Sequence, residues 1–291
     1  MKNDIPRPFL KWAGGKSQIL PQLLRFVPSS FNTYHEPFLG GGALFFALYR
    51  LGRIRHAVLS DINTELIDTY RAIRNHVEEI IQLLSTYPYD RDFYYQLRAL
   101  NPQNLSLPER AARMIYLNRT CYNGLYRVNR KGEFNVPFGR YKNPRILDER
   151  NLRAVSKALQ YADLYPCSFE SVIHRVKPGD FVYFDPPYHP VSETADFTAY
   201  HSKGFGPEQQ KRLAEIARNL VQHGVSVLLS NSATPFIQNL YAGKFHIHRI
   251  HARRFINSKA HRRTGWDELI IGHSDEQHSS LTQRPLSFIT T

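Results

Sequence analysis

Short apolar runs alternate with amphipathic stretches along most of this chain, the pattern of a parallel α/β sheet. Residues 33–37 read as a short strand ending at a glycine turn, Gly40 to Gly42, and residues 43–51 then have helix-compatible composition. A second strand, 56–60, delivers Asp61 at its carboxyl end. A helix is predicted over 62–75, with Leu66, Ile67, Tyr70 and Ile73 near one face. The alternation resumes with strands at 162–166, 181–184 and 225–231 and the clearest helix of the chain at 207–222. Residues 245–251 and 268–272 read as a closing pair of strands.

Between about 87 and 144 the pattern changes to aromatic, Arg-rich and Asn/Gly-rich sequence, with helices predicted at 91–99 and 108–118 before a long polar loop. The sheet is therefore interrupted by a separate module. No internal repeat or low-complexity tract is visible, and 274–291 is a polar tail expected to be disordered.

A chain of 291 residues with 42% hydrophobic content can bury a full core. Lysine plus arginine number 38 against 25 aspartate plus glutamate, a formal +13. That excess favours a polyanion such as nucleic acid, with solubility as the plainer alternative. Cys121 and Cys167 have neither disulfide-framework nor zinc spacing, which fits a reducing cytoplasm. The first eight residues carry charges and two prolines but no apolar core, and no later stretch approaches the ~18 apolar residues of a membrane span. A soluble, unexported protein without membrane contact is expected.

In a doubly wound sheet ligands sit beyond the carboxyl strand ends, where a glycine turn admits close approach and an acidic residue ending the second strand binds ribose hydroxyls. Phe38, Gly40, Gly42 and Asp61 match that plan, but Phe45 stands where a dinucleotide fingerprint needs its third glycine. Such a shortened turn suits S-adenosylmethionine, which carries no pyrophosphate. Residues 9–17 superficially resemble a phosphate-binding loop, yet Leu10 occupies the first required glycine and no strand precedes it. Lys16 and Trp12 around Gly14 and Gly15 either clamp a zwitterionic amino-acid moiety or pack the segment on the sheet.

Apolar residues 181–184 deliver Asp185 at a strand end, followed by two prolines that stiffen the backbone and by Tyr188. The arrangement suits methylation of a conjugated amine, a poor nucleophile. If the Asp185 carboxylate and the Pro186 carbonyl accept hydrogen bonds from the amine, positive charge developing on nitrogen is stabilised. Tyr188 is placed where it can stack on a base, which would have to leave a duplex to be reached.

The order F-L-K-W-A-G-G-K from Phe9, E-P-F-L-G-G-G from Glu36, D-I-N from Asp61 and D-P-P-Y from Asp185 resembles the DNA adenine methylase (Dam) family of alpha-class amino methyltransferases. Residues 117–144 resemble that family's target-recognition segment nearly throughout, and the likeness spans about 9–272. Two positions depart or vary: Leu39 and Gly41 within the glycine turn, and 166–169 after the third strand.

The resemblance implies a Rossmann-like S-adenosylmethionine-dependent methyltransferase sheet with an inserted, mainly helical target-recognition domain. Residues 1–62 and 146–273 would form the catalytic domain and 63–145 the insertion. It implies transfer to N6 of adenine in 5'-GATC-3', with cofactor contacts from Trp12, Ala13, Gly14, Lys16, Glu36, Phe38, Gly40, Gly42, Asp61, Ile62, Ser168, Phe169 and Asp185. Arg127 would read a guanine edge, assisted by Leu125, Asn129, Pro137 and Arg140, with Lys11 adding a base contact and Tyr122 wedging into the stack. Arg119, Asn123 and Lys142 complete the expected DNA surface. Double-stranded DNA is the expected partner, met as a monomer in the cytoplasm at the nucleoid.

Seven basic residues (Lys244, Arg249, Arg253, Arg254, Lys259, Arg262, Arg263) and no carboxylate lie between 244 and 263, either facing DNA phosphates or forming a solvated loop. His246, His248, His251 and His261 lack Cys or Asp partners at ligand spacing, so no metal is expected. Two alternatives stay open: the same amine chemistry at another sequence or on RNA, and a non-catalytic DNA-binding regulator on the same fold.

Overall fold

A computed structural model describes residues 5–191, 205–252 and 266–273. Seven strands form one sheet: β1 Tyr34–Glu36, β2 Ala57–Asp61, β3 Ala162–Pro166, β4 Phe181–Phe184, β5 Ser226–Ser232, β6 His246–Ala252 and β7 Trp266–His273. Their order is β3-β2-β1-β4-β5-β7-β6, the first five parallel and β7 antiparallel to both its neighbours. The order reverses between β1 and β4, and a crevice opens beyond the carboxyl ends at such a switch point. The expected α/β sheet is present, and its closing pair is the β6–β7 hairpin.

Among the described residues the α-helices are α1 Leu20–Leu23, α2 Ala43–Arg50, α3 Thr64–Thr86, α4 Arg91–Ala99, α5 Leu107–Thr120, α6 Glu149–Leu159, α7 Pro207–Gln222 and α8 Pro235–Tyr241. Asn63 starts α3 by accepting the Leu66 N–H at 3.1 Å. The sequence predicts an end at 75, and the backbone does leave helical geometry at His76 (φ −136°, ψ 36°). The chain then resumes as helix to Thr86 because Ile80, Ile81 and Leu84 have an apolar surface to cover. Helices α3 to α6 all lie between β2 and β3, so the chain leaves the sheet there, and α6 falls beyond the 63–145 bounds expected from the sequence.

Strand β4 is buried throughout, so its alternate side chains feed two cores. Phe181 and Tyr183 join a cluster that runs from Leu39 and Phe45 to Tyr94, Met114, Tyr116 and Phe134 of the inserted segment. Val182 and Phe184 join Leu213, Ala217, Leu220 and Leu229 on the other face. Buried Arg113 ties α5 to its neighbours, donating to the Leu97 and Arg98 carbonyls at 3.0 and 2.9 Å and pairing with Glu65 at 3.1 Å.

At the β3 edge the Tyr161 carbonyl faces inward to Ala57 N–H, so by alternation the Ala162 and Leu164 carbonyls face outward. Two α3 side chains cover them: Arg74 donates to Ala162 O at 2.9 Å and Arg71 to Leu164 O at 2.7 Å. Among the described residues no helix is long and apolar enough to cross a membrane. The tail 274–291, His261 and five of the seven clustered basic residues (Arg253, Arg254, Lys259, Arg262, Arg263) lie outside the described residues.

Candidate active site

Three carboxylates mark the switch point: Glu36 ends β1, Asp61 ends β2 and Asp185 follows β4. Glu36 is 3% exposed and accepts the Tyr34 hydroxyl at 2.8 Å. Burial, reinforced by the negative charges of Asp185 and Asp61, pushes its pKa up to about 8. Asp61 fastens the glycine turn to the start of α3, accepting Gly40 N–H and Asn63 N–H, each at 3.0 Å. Burial raises its pKa, against the pull of those backbone donors.

The turn itself needs glycine. Gly40 has φ +45°, and a Cβ there would lie 2.8 Å from the Trp12 indole. Tyr70 donates to the Gly40 carbonyl at 3.0 Å from below. Trp12 in turn stacks on Tyr126 at 5.1 Å, which carries the N-terminal segment onto the inserted module.

Lys16, 6% exposed, places its ammonium 2.8 Å from Asp185 Oδ1, 2.5 Å from the Gly14 carbonyl and 4.7 Å from the centre of the Tyr188 ring. Burial pushes the Asp185 pKa up to about 6, with Lys16 pulling it down and Glu268 pushing it further up. The turn after Asp185 is anchored from behind. Gln210 donates to Pro187 O at 2.9 Å, Asn231 accepts His189 N–H at 3.2 Å, Ser232 donates to His189 O at 2.6 Å, and Tyr188 donates to Glu268 at 2.9 Å.

None of those four anchors was singled out from the sequence. The available signal was polar: Ser230, Asn231 and Ser232 close an otherwise apolar strand, and Gln210 sits on the buried face of α7.

On the far side of Asp61, Phe38 stacks on Phe169 at 5.2 Å, Ser168 caps the turn that carries Phe169, and Ile62 stands 79% exposed. Ala13 and Gly14 are exposed beside Trp12, and Gly42, with φ +65°, caps α2. These residues therefore surround the carboxyl ends of β1, β2 and β4.

The expected DNA surface is divided. Tyr122, Asn123 and Leu125 are exposed after α5, Tyr122 at 52%, with Pro137, Arg140 and Lys142 exposed on the returning chain. The Tyr122 N–H donates to Pro137 O at 2.8 Å, and Cys121 bridges Phe138. Lys11 exchanges hydrogen bonds with the Asn118 side chain through both its backbone groups, each at 2.8 Å, and its ammonium lies 4.4 Å from the Tyr141 ring centre. Asn135 holds Arg127, accepting from its guanidinium at Oδ1 (2.7 Å) and backbone O (3.2 Å). Asn129 organises its own loop, accepting Lys131 and Glu133 N–H groups at 2.9 and 3.0 Å. Arg119 stands apart, half-buried, with its guanidinium on the Phe9 carbonyl at 2.6 Å. In the β6–β7 hairpin Arg249 pairs with Asp267 at 3.2 Å. No three His, Cys, Asp or Glu side chains gather in a metal-holding group among the described residues.

Residues 12–256 match the family described as D12 class N6 adenine-specific DNA methyltransferase. The chain belongs to this family. It is 43% identical over 279 residues to the type II methyltransferase M1.LlaDCHI of Lactococcus lactis subsp. cremoris, covering 93% of this chain and 96% of that relative. It is 43% identical to the type II methyltransferase M.MjaIII of Methanocaldococcus jannaschii over 91% of this chain and 98% of the relative. With the DNA adenine methylase of Escherichia coli strain K12 it shares 39% identity over 91% and 94% of the two chains. The D12 methyltransferase described here is therefore an enzyme acting on adenine in DNA, and its family requires a methyl donor. Membership removes the non-catalytic regulator from consideration.

Proposed function

We propose that this D12 methyltransferase uses S-adenosylmethionine to methylate N6 of adenine in duplex 5'-GATC-3', flipping the base into the crevice at the sheet's switch point. One observation carries the reading: Asp185 and the Pro186 carbonyl sit at the carboxyl end of β4, with the Tyr188 ring held beside them.

The cradle suits the cofactor, since glycine leaves open at position 40 what a Cβ would fill and carboxylates ring the crevice. Asp61 would hold ribose hydroxyls, Ile62, Phe38, Ser168 and Phe169 would enclose the adenine, and Trp12, Ala13, Gly14, Lys16, Glu36, Gly40 and Gly42 would border the amino-acid end. When bound, S-adenosylmethionine supplies an electrophilic methyl group on a sulfonium.

The protein's own part is to orient and desolvate the amine. Asp185 accepts one amine hydrogen, Pro186 O the other, and Tyr188 stacks on the ring, so charge developing on nitrogen meets two prepositioned acceptors. Lys16 keeps Asp185 ionised and ready to accept. The amine becomes acidic as it is methylated, so no strong base is required.

Residues 63–145 serve as the recognition domain. Arg127, oriented by Asn135, reads guanine with help from Leu125, Asn129, Pro137 and Arg140; Tyr122 fills the vacated stack, and Lys11, Asn123 and Lys142 contact the DNA nearby. Arg119 contributes by bracing the segment that carries Lys11. The enzyme acts as a monomer on nucleoid DNA in the cytoplasm. Sequencing with N6-methyladenine detection, after expression in a host lacking the mark, should find it at GATC; modification confined to another sequence would overturn the specificity. Asp185→Ala should abolish methylation while sparing most DNA affinity.

A further inference from the structure

The four anchors behind the Asp185 to Tyr188 turn differ in what they grip. Gln210, Asn231 and Ser232 bond backbone atoms of Pro187 and His189, whereas Glu268 alone takes the hydroxyl of a side chain, Tyr188. Glu268 lies directly opposite Ser232 in the β5–β7 register. One rung of the ladder thus fixes both the chain after the turn and the far end of the aromatic ring.

We propose that Glu268 is a positioning residue for methyl transfer, setting the plane of the Tyr188 ring on which the target adenine stacks. The inference rests on reading residues 185–188 as the target-base site. A tyrosine fixed only at its Cα rocks about two side-chain torsions, and the ring torsion is broad. Tethering the hydroxyl, the point most distant from the backbone, removes that rocking. A neutral hydroxyl donating to a carboxylate makes a charge-assisted bond stronger than an ordinary one. Burial pushes the Tyr188 pKa up, which keeps the hydroxyl protonated and donating.

Stacking transmits ring tilt to the bound base, so a tilted Tyr188 carries the amine off the line between Asp185 and Pro186 O. Misplacement on the ångström scale is costly to the chemical step and nearly silent in binding.

The experiment measures kcat and KM of the full-length enzyme on genomic DNA lacking N6-methyladenine, with S-adenosylmethionine as donor. Wild type is compared with Tyr188→Phe, Glu268→Ala, the double variant, Glu268→Gln and Asp185→Ala. Positioning requires kcat to fall about tenfold in Tyr188→Phe and in Glu268→Ala, with both KM values nearly unchanged. The double variant should be no slower than either single one. Glu268→Gln, which keeps an acceptor, should recover most of the rate.

If the hydrogen bond merely satisfied a buried hydroxyl, Tyr188→Phe would leave kcat intact, and that result overturns the proposal even should Glu268→Ala fold poorly. Losses that multiply in the double variant overturn it too. Wild-type turnover by Asp185→Ala would instead remove the underlying site assignment.

Discussion

Glu36 and Asp185 are two carboxylates at one strand crevice whose burial moves both pKa values upward, to about 8 and about 6. Their consequences differ. In the proposed mechanism Asp185 accepts the amine only when ionised, so kcat should rise with pH through about 6. The groups that interact electrostatically with Asp185 include Lys16, Glu268, Glu36, Tyr183, Tyr188 and Tyr34. Removing the Lys16 ammonium raises the Asp185 pKa further, and a pH–rate series on Lys16→Met should show the acid limb displaced to higher pH. An unmoved limb would mean that another group controls it.

Glu36 governs stability. Its folded pKa lies above the unfolded value, so the folded state keeps a proton that the unfolded chain has released. Its contribution is therefore fully present below the unfolded value of about 4.5 and is lost as pH rises through about 8. Thermal melts across that range should show Tm falling with pH in the wild type and falling less in Glu36→Gln. At this scale the sequence was informative where chemistry is local: Asp185, Tyr188 and Asp61 declare themselves by sitting at strand ends. Glu268 did not, because its role comes from a register between strands about eighty residues from Tyr188, and no local pattern encodes that pairing.

Among the elements, the glycine turn is the least tolerant. Gly40→Ala would place a side chain in the left-handed region and against Trp12, at a cost of about 1–2 kcal/mol in stability. Displacing Trp12 should also weaken S-adenosylmethionine binding, and calorimetric titration should show at least a tenfold rise in Kd. Wild-type affinity would show that Trp12 does not border the cofactor.

Elements with strong apolar periodicity were legible to the residue: β3, β4, α4 and α7 fall where the pattern puts them. Helix α6 was not read, although Leu152, Val155 and Leu159 recur at helical spacing, because charged residues dominate its first turn. The second half of α3 was hidden by the backbone break at His76, and α8 is too short to display a period. Arg119 shows the same limit in reverse: it ends α5 among residues expected from the sequence to meet DNA, yet the helix aims it at Phe9.

For the molecule as a whole, the division of the sheet by residues between β2 and β3 was legible, but the continuity of the core across that division was not. Phe9, Tyr70, Tyr94 and Tyr116 belong to one apolar cluster, so the N-terminal segment and the helices between β2 and β3 share an interior. The Trp12–Tyr126 stack and the paired Lys11–Asn118 hydrogen bonds extend that union to the surface. The formal charge of +13 pointed to a polyanion without saying which face would meet it.

The arginines along β3 have a bearing on how this protein behaves in company. An uncovered edge strand is a template onto which another chain can add, the first step toward polymerised sheets. Because Arg74 and Arg71 occupy two of the outward carbonyls, those of Ala162 and Leu164, that growth point is obstructed by side chains of the neighbouring helix. The double variant Arg71→Ala/Arg74→Ala should keep its fold yet scatter more light on concentration and warming, whereas an unchanged aggregation onset would show that the edge is protected by other means. Two arginines of α3 would then set how much of this enzyme a crowded cell can hold in dispersed form.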